Sequence, residues 1–280
     1  MNAALLIFLA VVAGAALVVL VAGVRVLLRR ESVKDPSGLG SQLAGLIVGT
    51  VLAVGLWVVD RHLILVLAPA AGMCWLIGLI AAERTRKRRN AGSVRLAGLV
   101  PRTLGRYLSR WALGGMRAAF AATAGLAAAG IALASSRDSS MYTAACPDGT
   151  LAGHGPWPGA AYALPALAAL VAGWALTEWT IRLIAARAPE PVSDVGDAGR
   201  RALAARTAVT AAGLMVAPTL AGLLVPMGAS LHATCPSGAR DALALVMLAA
   251  GAGLALISAA AWVAALLTVG RAVVPRVAEA

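Results

Sequence analysis

Charged residues are scarce in this sequence, and so are the side chains that most enzymes use for catalysis. Acidic residues number 12 in a chain of 280, charged residues of both signs make up 13%, and histidine and cysteine occur three times each. A soluble domain has about 25% charged residues. A water-soluble chain this poor in charge could not cover its surface with polar groups. The shortage therefore indicates a protein whose solvent is a lipid bilayer.

The sequence also lacks the short motifs of the common catalytic sites. It has no glycine-rich phosphate loop, no H-E-x-x-H motif and no C-x-x-C motif, which argues against an ATPase, a metalloprotease and a thiol-exchange protein. No serine, histidine and aspartate fall together at one depth for hydrolysis, and no pair of histidines within the apolar stretches suggests haem. We therefore predict no catalytic residue and no cofactor, and favour a non-enzymatic protein.

Apolar residues are abundant and make up 60% of the chain. About 20 such residues, at about 1.5 Å each, form a helix that crosses the hydrocarbon core. We predict an all-α integral membrane protein with a single domain over residues 1–280 and about seven transmembrane helices. The predicted spans are 2–24, 40–59, 63–82, 114–136, 159–181, 207–228 and 243–269.

Arginine and lysine set the predicted orientation of these spans. The net charge is +12, and 21 of the 24 basic residues fall in alternate connections, whereas Arg61, Arg137 and Arg240 fall in the others. Basic residues accumulate on the cytoplasmic side of membrane proteins. The pattern predicts an outside N-terminus and a cytoplasmic C-terminus, as seven spans require. The Ala-rich, Arg-rich composition favours a bacterial plasma membrane.

The segment 83–113 is the longest basic connection, and we expect it in the cytoplasm. Leu104, Tyr107, Leu108 and Trp111 have the spacing of one helix face, so an interfacial helix is one interpretation. A basic loop that only fixes the topology is the other, and we favour it. The segment could meet anionic lipid. We expect no nucleic acid as a partner, because few aromatic residues are interleaved with the basic ones for base stacking.

A duplication is the most specific feature of the sequence. Arg117 precedes Cys146 by 29 positions, and Arg206 precedes Cys235 by the same number. Each cysteine opens a Cys-Pro-x-Gly sequence. We predict that spans four and five form a helical hairpin of which spans six and seven are a copy. Spans two and three form a diverged third hairpin, and the first span is a leading helix.

The cysteines and histidines of the predicted outer turns are the candidates for a site. Cys146 and Cys235 occupy equivalent outer positions in the two copies, and an oxidising exterior favours a disulfide between them. His62, His154 and His232 fall one in each outer turn, which makes them weak candidates for a metal site. They lack the close spacing of a metal motif, so we favour solvated loop histidines.

Glu178 is the candidate for an ionisable residue within a span. Arg182 follows four residues later on the same helix face, near the predicted cytoplasmic end. We favour an interfacial ion pair of these two residues. A glutamate that handles a proton or a substrate is the alternative.

The function remains open at this stage. We favour an accessory, assembly or sensing component that has the bilayer, a membrane-protein partner or a second copy of the chain as its partners. The first alternative is a transporter or channel for a small solute or a metal ion, which hairpin repeats and outer histidines favour. The second is a membrane enzyme that acts at the outer face through His154, His232 and Asp148.

Overall fold

The computed structural model describes residues 39–59, 61–89, 108–136, 138–146, 148–186, 194–234 and 238–273. Within these residues the chain forms six α-helices, one 3-10 helix and two short strands. The helices are α1 (Leu39–Val59), the 3-10 helix (Arg61–Val66), α2 (Leu67–Arg89), α3 (Arg110–Ala132), α4 (Ala160–Ala186), α5 (Asp194–Ala233) and α6 (Gly238–Val273). The strands β1 (Tyr142–Ala145) and β2 (Leu151–His154) lie between α3 and α4.

Five helical segments of the described chain are long and apolar enough to cross a membrane. They are Leu63–Arg84, Arg110–Ala132, Ala160–Ala186, Gly199–Ala233 and Gly238–Ala265. Their outward faces carry exposed large apolar side chains, among them Ile77, Val171, Val246, Leu256 and Ile257. Exposed apolar side chains of this size on helix surfaces suit hydrocarbon rather than water. The molecule is a helical membrane protein, as the sequence predicted.

Consecutive helices pack as antiparallel pairs. A Cβ atom added to Gly49 of α1 would lie 2.8 Å from the carbonyl oxygen of Ala71 in α2. One added to Gly228 of α5 would lie 2.9 Å from the carbonyl oxygen of Ala244 in α6. Glycine at these two places lets the backbones of paired helices approach more closely than any side chain permits.

Met215 lies at the centre of the bundle and is fully buried. Its side chain, which comes from α5, packs on Gly72 of α2 and on Gly173 of α4, and a Cβ atom on either glycine would overlap it. A flexible thioether fills such an irregular space well. One residue of α5 thus holds three helices together, and the main core cluster surrounds it with Leu76, Leu170 and other apolar side chains.

The segment between α3 and α4 forms a β-hairpin, so the prediction of an all-helical chain was wrong here. β1 and β2 pair antiparallel, with Tyr142 opposite His154 and Ala145 opposite Leu151. The turn contains Gly149 at a φ of 82°, a backbone conformation that glycine adopts without strain. Cys-Pro-Asp-Gly is a turn sequence flanked by short apolar segments, and it encodes a hairpin as readily as a loop.

Several helix boundaries differ from the predicted spans, and the starts of α3 and α5 concern the basic residues. α3 begins at Arg110 rather than residue 114, because Ser109 adopts an extended backbone and its hydroxyl accepts a hydrogen bond from the Ala112 amide. α5 begins at Asp194 rather than residue 207. Basic residues assigned to connections therefore lie inside helices. The predicted span 2–24 and residues 90–107 of the basic segment lie outside the described residues.

The bundle has two distinct ends. The hairpin end consists of β1, β2, the 3-10 helix, the end of α5 and the start of α6. The basic end contains the end of α2, the start of α3, the end of α4 and the start of α5. The basic residues there whose side chains are described include Arg84, Arg110, Arg117, Arg182, Arg200, Arg201 and Arg206.

Candidate functional site

A tryptophan anchors the β-hairpin to the hairpin end of the bundle. Trp157 is 1% exposed, and its indole N–H donates a 2.7 Å hydrogen bond to the carbonyl oxygen of Gly130 at the end of α3. Its ring stacks on Tyr142 of β1 with centroids 4.8 Å apart, and it packs against Met227 of α5 and Met247 of α6. We did not predict this anchor from the sequence, although a lone Trp between Pro156 and Pro158 is a visible signal.

Further hydrogen bonds hold the segment in place. The Trp157 amide donates to the carbonyl oxygen of Ser140 at 2.8 Å. The Ser230 hydroxyl of α5 donates to the carbonyl oxygen of Pro156 at 2.9 Å. The hairpin is thus fixed to both α3 and α5, and it forms an ordered cap instead of a loose loop.

The tip of the hairpin is a polar turn that projects from the cap. Cys146 and Thr150 close it through a 2.8 Å hydrogen bond from the Cys146 amide to the Thr150 carbonyl oxygen. The Asp148 carboxylate accepts hydrogen bonds from the Thr150 hydroxyl and amide, and these hold the pKa of Asp148 below its usual value. Leu151, next to the turn, is 81% exposed. The tip therefore exposes a carboxylate and an apolar side chain.

The structure describes two of the three cysteines. Cys74 lies in α2 against α1 and is a free thiol. Cys146 lies in the turn and is not a free thiol. Cys235 lies outside the described residues, so its pairing with Cys146 stays a prediction.

The three histidines lie at the hairpin end in different settings. His154 is the exposed last residue of β2, and His232 is in the last turn of α5. The Nδ1 atom of His232 lies 3.4 Å from the Asp241 carboxylate in the first turn of α6. His62 belongs to the 3-10 helix, and the structure describes its backbone but not its side chain. Among the described residues, no three metal-binding side chains lie close enough to hold an ion.

Glu178 forms an ion pair between two helices near the basic end. Its carboxylate accepts two hydrogen bonds from Arg117 of α3, at 2.6 Å from Nε and 3.0 Å from Nη2. We expected Arg182 of the same helix as the partner, and the structure instead shows Arg117. The packing of α3 on α4 explains the difference, because it brings Arg117, two turns inside α3, level with Glu178.

Two more arginines join the helices at the basic end. Arg84 of α2 lies over the Trp179 ring of α4, with its guanidinium carbon 5.5 Å from the ring centre. Arg201 of α5 is buried, and its Nη1 atom donates to the Ala185 carbonyl oxygen at 3.4 Å, in the last turn of α4. Cations are favourable at that negative end of a helix. Trp111 belongs to α3 and is 92% exposed. The extended backbone of Ser109 separates Leu108 from Trp111, so no single helix carries the stripe from Leu104 to Trp111 that the interfacial-helix interpretation requires.

Comparison with known proteins gives no further guidance, since no protein-family model matches the chain and no curated protein or solved structure shows a significant match.

Proposed function

We propose that the protein is a non-enzymatic component of a bacterial plasma membrane with an accessory, assembly or sensing role, and that its hairpin end binds another membrane protein. The observation that supports this proposal is the anchored hairpin. A loop that merely connects two spans has no need of a buried tryptophan and hydrogen bonds to α3 and α5. Rigid presentation of a short exposed segment lowers the entropy cost of binding.

The proposal includes the topology predicted from sequence. In the proposed seven-span topology, the hairpin end lies outside and the basic end lies in the cytoplasm. The clustering of described arginines at one end of the bundle supports this orientation. Cysteine-directed labelling in intact cells tests it, with a cysteine introduced at Leu151 for the hairpin end and at Ser109 for the basic end. We expect an impermeant maleimide to label the first and not the second.

The proposal also includes the internal repeat and the disulfide. With a constant offset of 89 positions, α3 corresponds to residues 199–221, which are helical in α5. Beyond Ala132 the first copy turns into the hairpin, whereas α5 continues to Ala233. A bond between Cys146 and Cys235 would join the tip of the hairpin to the turn between α5 and α6. It would restrict the hairpin further in an oxidising compartment.

Photo-crosslinking in living cells tests the proposed role directly. A photoreactive amino acid replaces Leu151, which is 81% exposed in the hairpin, or Leu256, which is 73% exposed on α6. We expect one adduct of defined mass from Leu151 and not from Leu256, with the partner identified by mass spectrometry and confirmed by the reciprocal crosslink. If Leu151 and Met141 give no adduct beyond that of Leu256, the partner-binding role is wrong.

A transporter of a small solute or metal ion is the second candidate. The observations that favour it are the prolines inside α4 (Pro165) and α5 (Pro218 and Pro226) and the ion pair within the bundle. Prolines within transmembrane helices and intramembrane charges occur along the pathways of many transporters. Purified protein in proteoliposomes decides between the candidates. Protein-dependent uptake of a divalent metal or amino acid, abolished by Glu178→Gln, would favour transport.

A further inference from the structure

The ion pair at the basic end has an unusual position for a membrane-embedded arginine. Glu178 is buried, but half of the Arg117 side chain is exposed on the surface between α3 and α4. Arg117 lies seven residues inside α3, about 10 Å from its first residue. The Glu178 carboxylate accepts hydrogen bonds from the Nε–H group and from one N–H of Nη2. The guanidinium has five N–H donors, so three remain to be solvated at this depth.

The surroundings show which environment this guanidinium meets. Trp174 and Trp179 of α4 flank Glu178 and are about half exposed, and Trp111 is exposed at the start of α3. Exposed tryptophans in membrane proteins lie at the level of the lipid headgroups. The Arg117–Glu178 pair lies at the level of Trp179, so phospholipid phosphates are within reach of the guanidinium.

The electrostatic charge of this region favours an anion. Arg182 follows Glu178 by one turn and is close enough to attract it electrostatically. Arg110 lies on the same face of α3 as Arg117, two turns nearer the helix start. The three arginines and Glu178 leave a net charge of about +2 at the α3–α4 surface. Basic pockets between transmembrane helices bind the headgroups of anionic lipids.

We propose that the surface between α3 and α4 at the basic end, formed by Arg110, Arg117, Arg182 and Trp174, binds the phosphate of an anionic phospholipid. Glu178 holds Arg117 so that its remaining donors face the lipid. The phosphate accepts hydrogen bonds from Arg117 and Arg182, and Trp174 packs beside the glycerol region. The proposal gives a specific site to the anionic lipid expected at the basic end and does not depend on a role for the hairpin.

Native mass spectrometry of the full chain in a mild detergent tests the site. The probes are phosphatidylglycerol and phosphatidylcholine with the same acyl chains. We expect tighter binding of phosphatidylglycerol, weakened about fivefold by Arg182→Gln because one arginine near a membrane surface contributes about that factor. Phosphatidylcholine binding should stay unchanged.

Arg206→Gln is the matched control. Arg206 is the repeat counterpart of Arg117, is exposed on α5, and has Leu267 at the position that corresponds to Glu178. We expect less than a twofold effect of this change. A loss equal to that of Arg182→Gln would mean general attraction to a basic surface and would overturn the site. Equal binding of the two lipids would also overturn it.

A double variant and a competition experiment complete the test. Arg117→Gln with Glu178→Gln keeps the interior neutral, and it should weaken phosphatidylglycerol binding about fivefold. If this double variant does not fold, the Arg182→Gln variant alone tests the lipid site. Arg182→Gln should fold, because the exposed Arg182 side chain does not form the hydrogen bonds with Glu178 that join α3 to α4. Displacement of the lipid by millimolar inorganic phosphate would indicate a small-anion site and would contradict the lipid proposal.

Discussion

Arg117 and Glu178 lie 61 positions apart in sequence and form a pair of hydrogen bonds that joins α3 to α4. The two helices are separated along the chain by the whole β-hairpin, and each residue comes from a different half of the predicted hairpin unit. The pair therefore fixes the register of two helices that also pack through Ala127, Ala163 and Ala166.

The contribution of the ion pair can be measured by a double-mutant cycle. Arg117→Gln leaves the buried Glu178 carboxylate unpaired, so we expect the free energy of unfolding to fall by about 1–3 kcal/mol. The half-exposed arginine keeps this below the cost for a fully buried pair. The double change to Gln should cost less than the sum of the single changes. Unfolding in a detergent–SDS titration measures the effect, and additive costs would show that the two residues do not interact.

The stability of the bundle should be sensitive to the volume of the side chain at Met215. Met215→Ala leaves a cavity among α2, α4 and α5, and we expect a loss of about 2–4 kcal/mol in the free energy of unfolding. Gly72→Ala should also destabilise, because its Cβ atom would overlap Met215. The two changes combined should cost less than their sum. Gly125→Ala is the control, since its Cβ atom would meet no neighbour, and it should be neutral or slightly stabilising.

Trp157 should control the attachment of the β-hairpin. Trp157→Phe removes the hydrogen bond to Gly130 and leaves that buried carbonyl oxygen without its partner, at a cost of about 1–3 kcal/mol. Hydrogen exchange at β1 and β2 should become faster while exchange within α2 stays unchanged. Trp111→Phe is the control, because Trp111 is 92% exposed. Unchanged exchange in the hairpin of Trp157→Phe would contradict the anchoring role.

The hairpin turn should respond to acid. Hydrogen bonds from Thr150 lower the pKa of Asp148 in the folded chain. Their contribution is present above the unfolded pKa of about 3.9 and is lost as the pH falls through the lower folded value. Hydrogen exchange of the Thr150 amide should therefore accelerate, relative to its intrinsic rate, below about pH 4. Asp148→Asn should remove this pH dependence at Thr150. The carboxylate of Asp138 accepts hydrogen bonds from Ser140 in the same way, so in this variant the Ser140 amide should keep its pH dependence.

The state of the cysteines provides a direct chemical test. Non-reducing peptide mapping after alkylation should find Cys74 labelled and Cys146 linked to Cys235. Cys74 is the free thiol among the described residues. Alkylation of Cys146 and Cys235 in protein purified without reductant would exclude the disulfide and return both sulfurs to the candidates for metal binding.

The helices were predictable from the sequence, and their tertiary contacts were not. A transmembrane helix is recognisable from about twenty consecutive apolar residues, because each residue contributes to membrane partition independently of the others. The apolar stretch 159–181 therefore located α4 almost to its first residue at Ala160. The start of α3 was misplaced by four residues, because the cap at Ser109 is a local signal that hydropathy does not contain.

The sequence by itself determined a membrane protein with long apolar helices, since composition and the length of apolar runs decide partition into lipid. The tertiary structure alone decided the partner of Glu178, because helix spacing favoured Arg182 and only the packing of α3 on α4 brings Arg117 within 2.6 Å. It also decided the β-hairpin and its anchor, since the burial of Trp157 depends on Gly130, Met227 and Met247. Contacts among residues far apart in the chain depend on how the helices pack, and no local pattern records that.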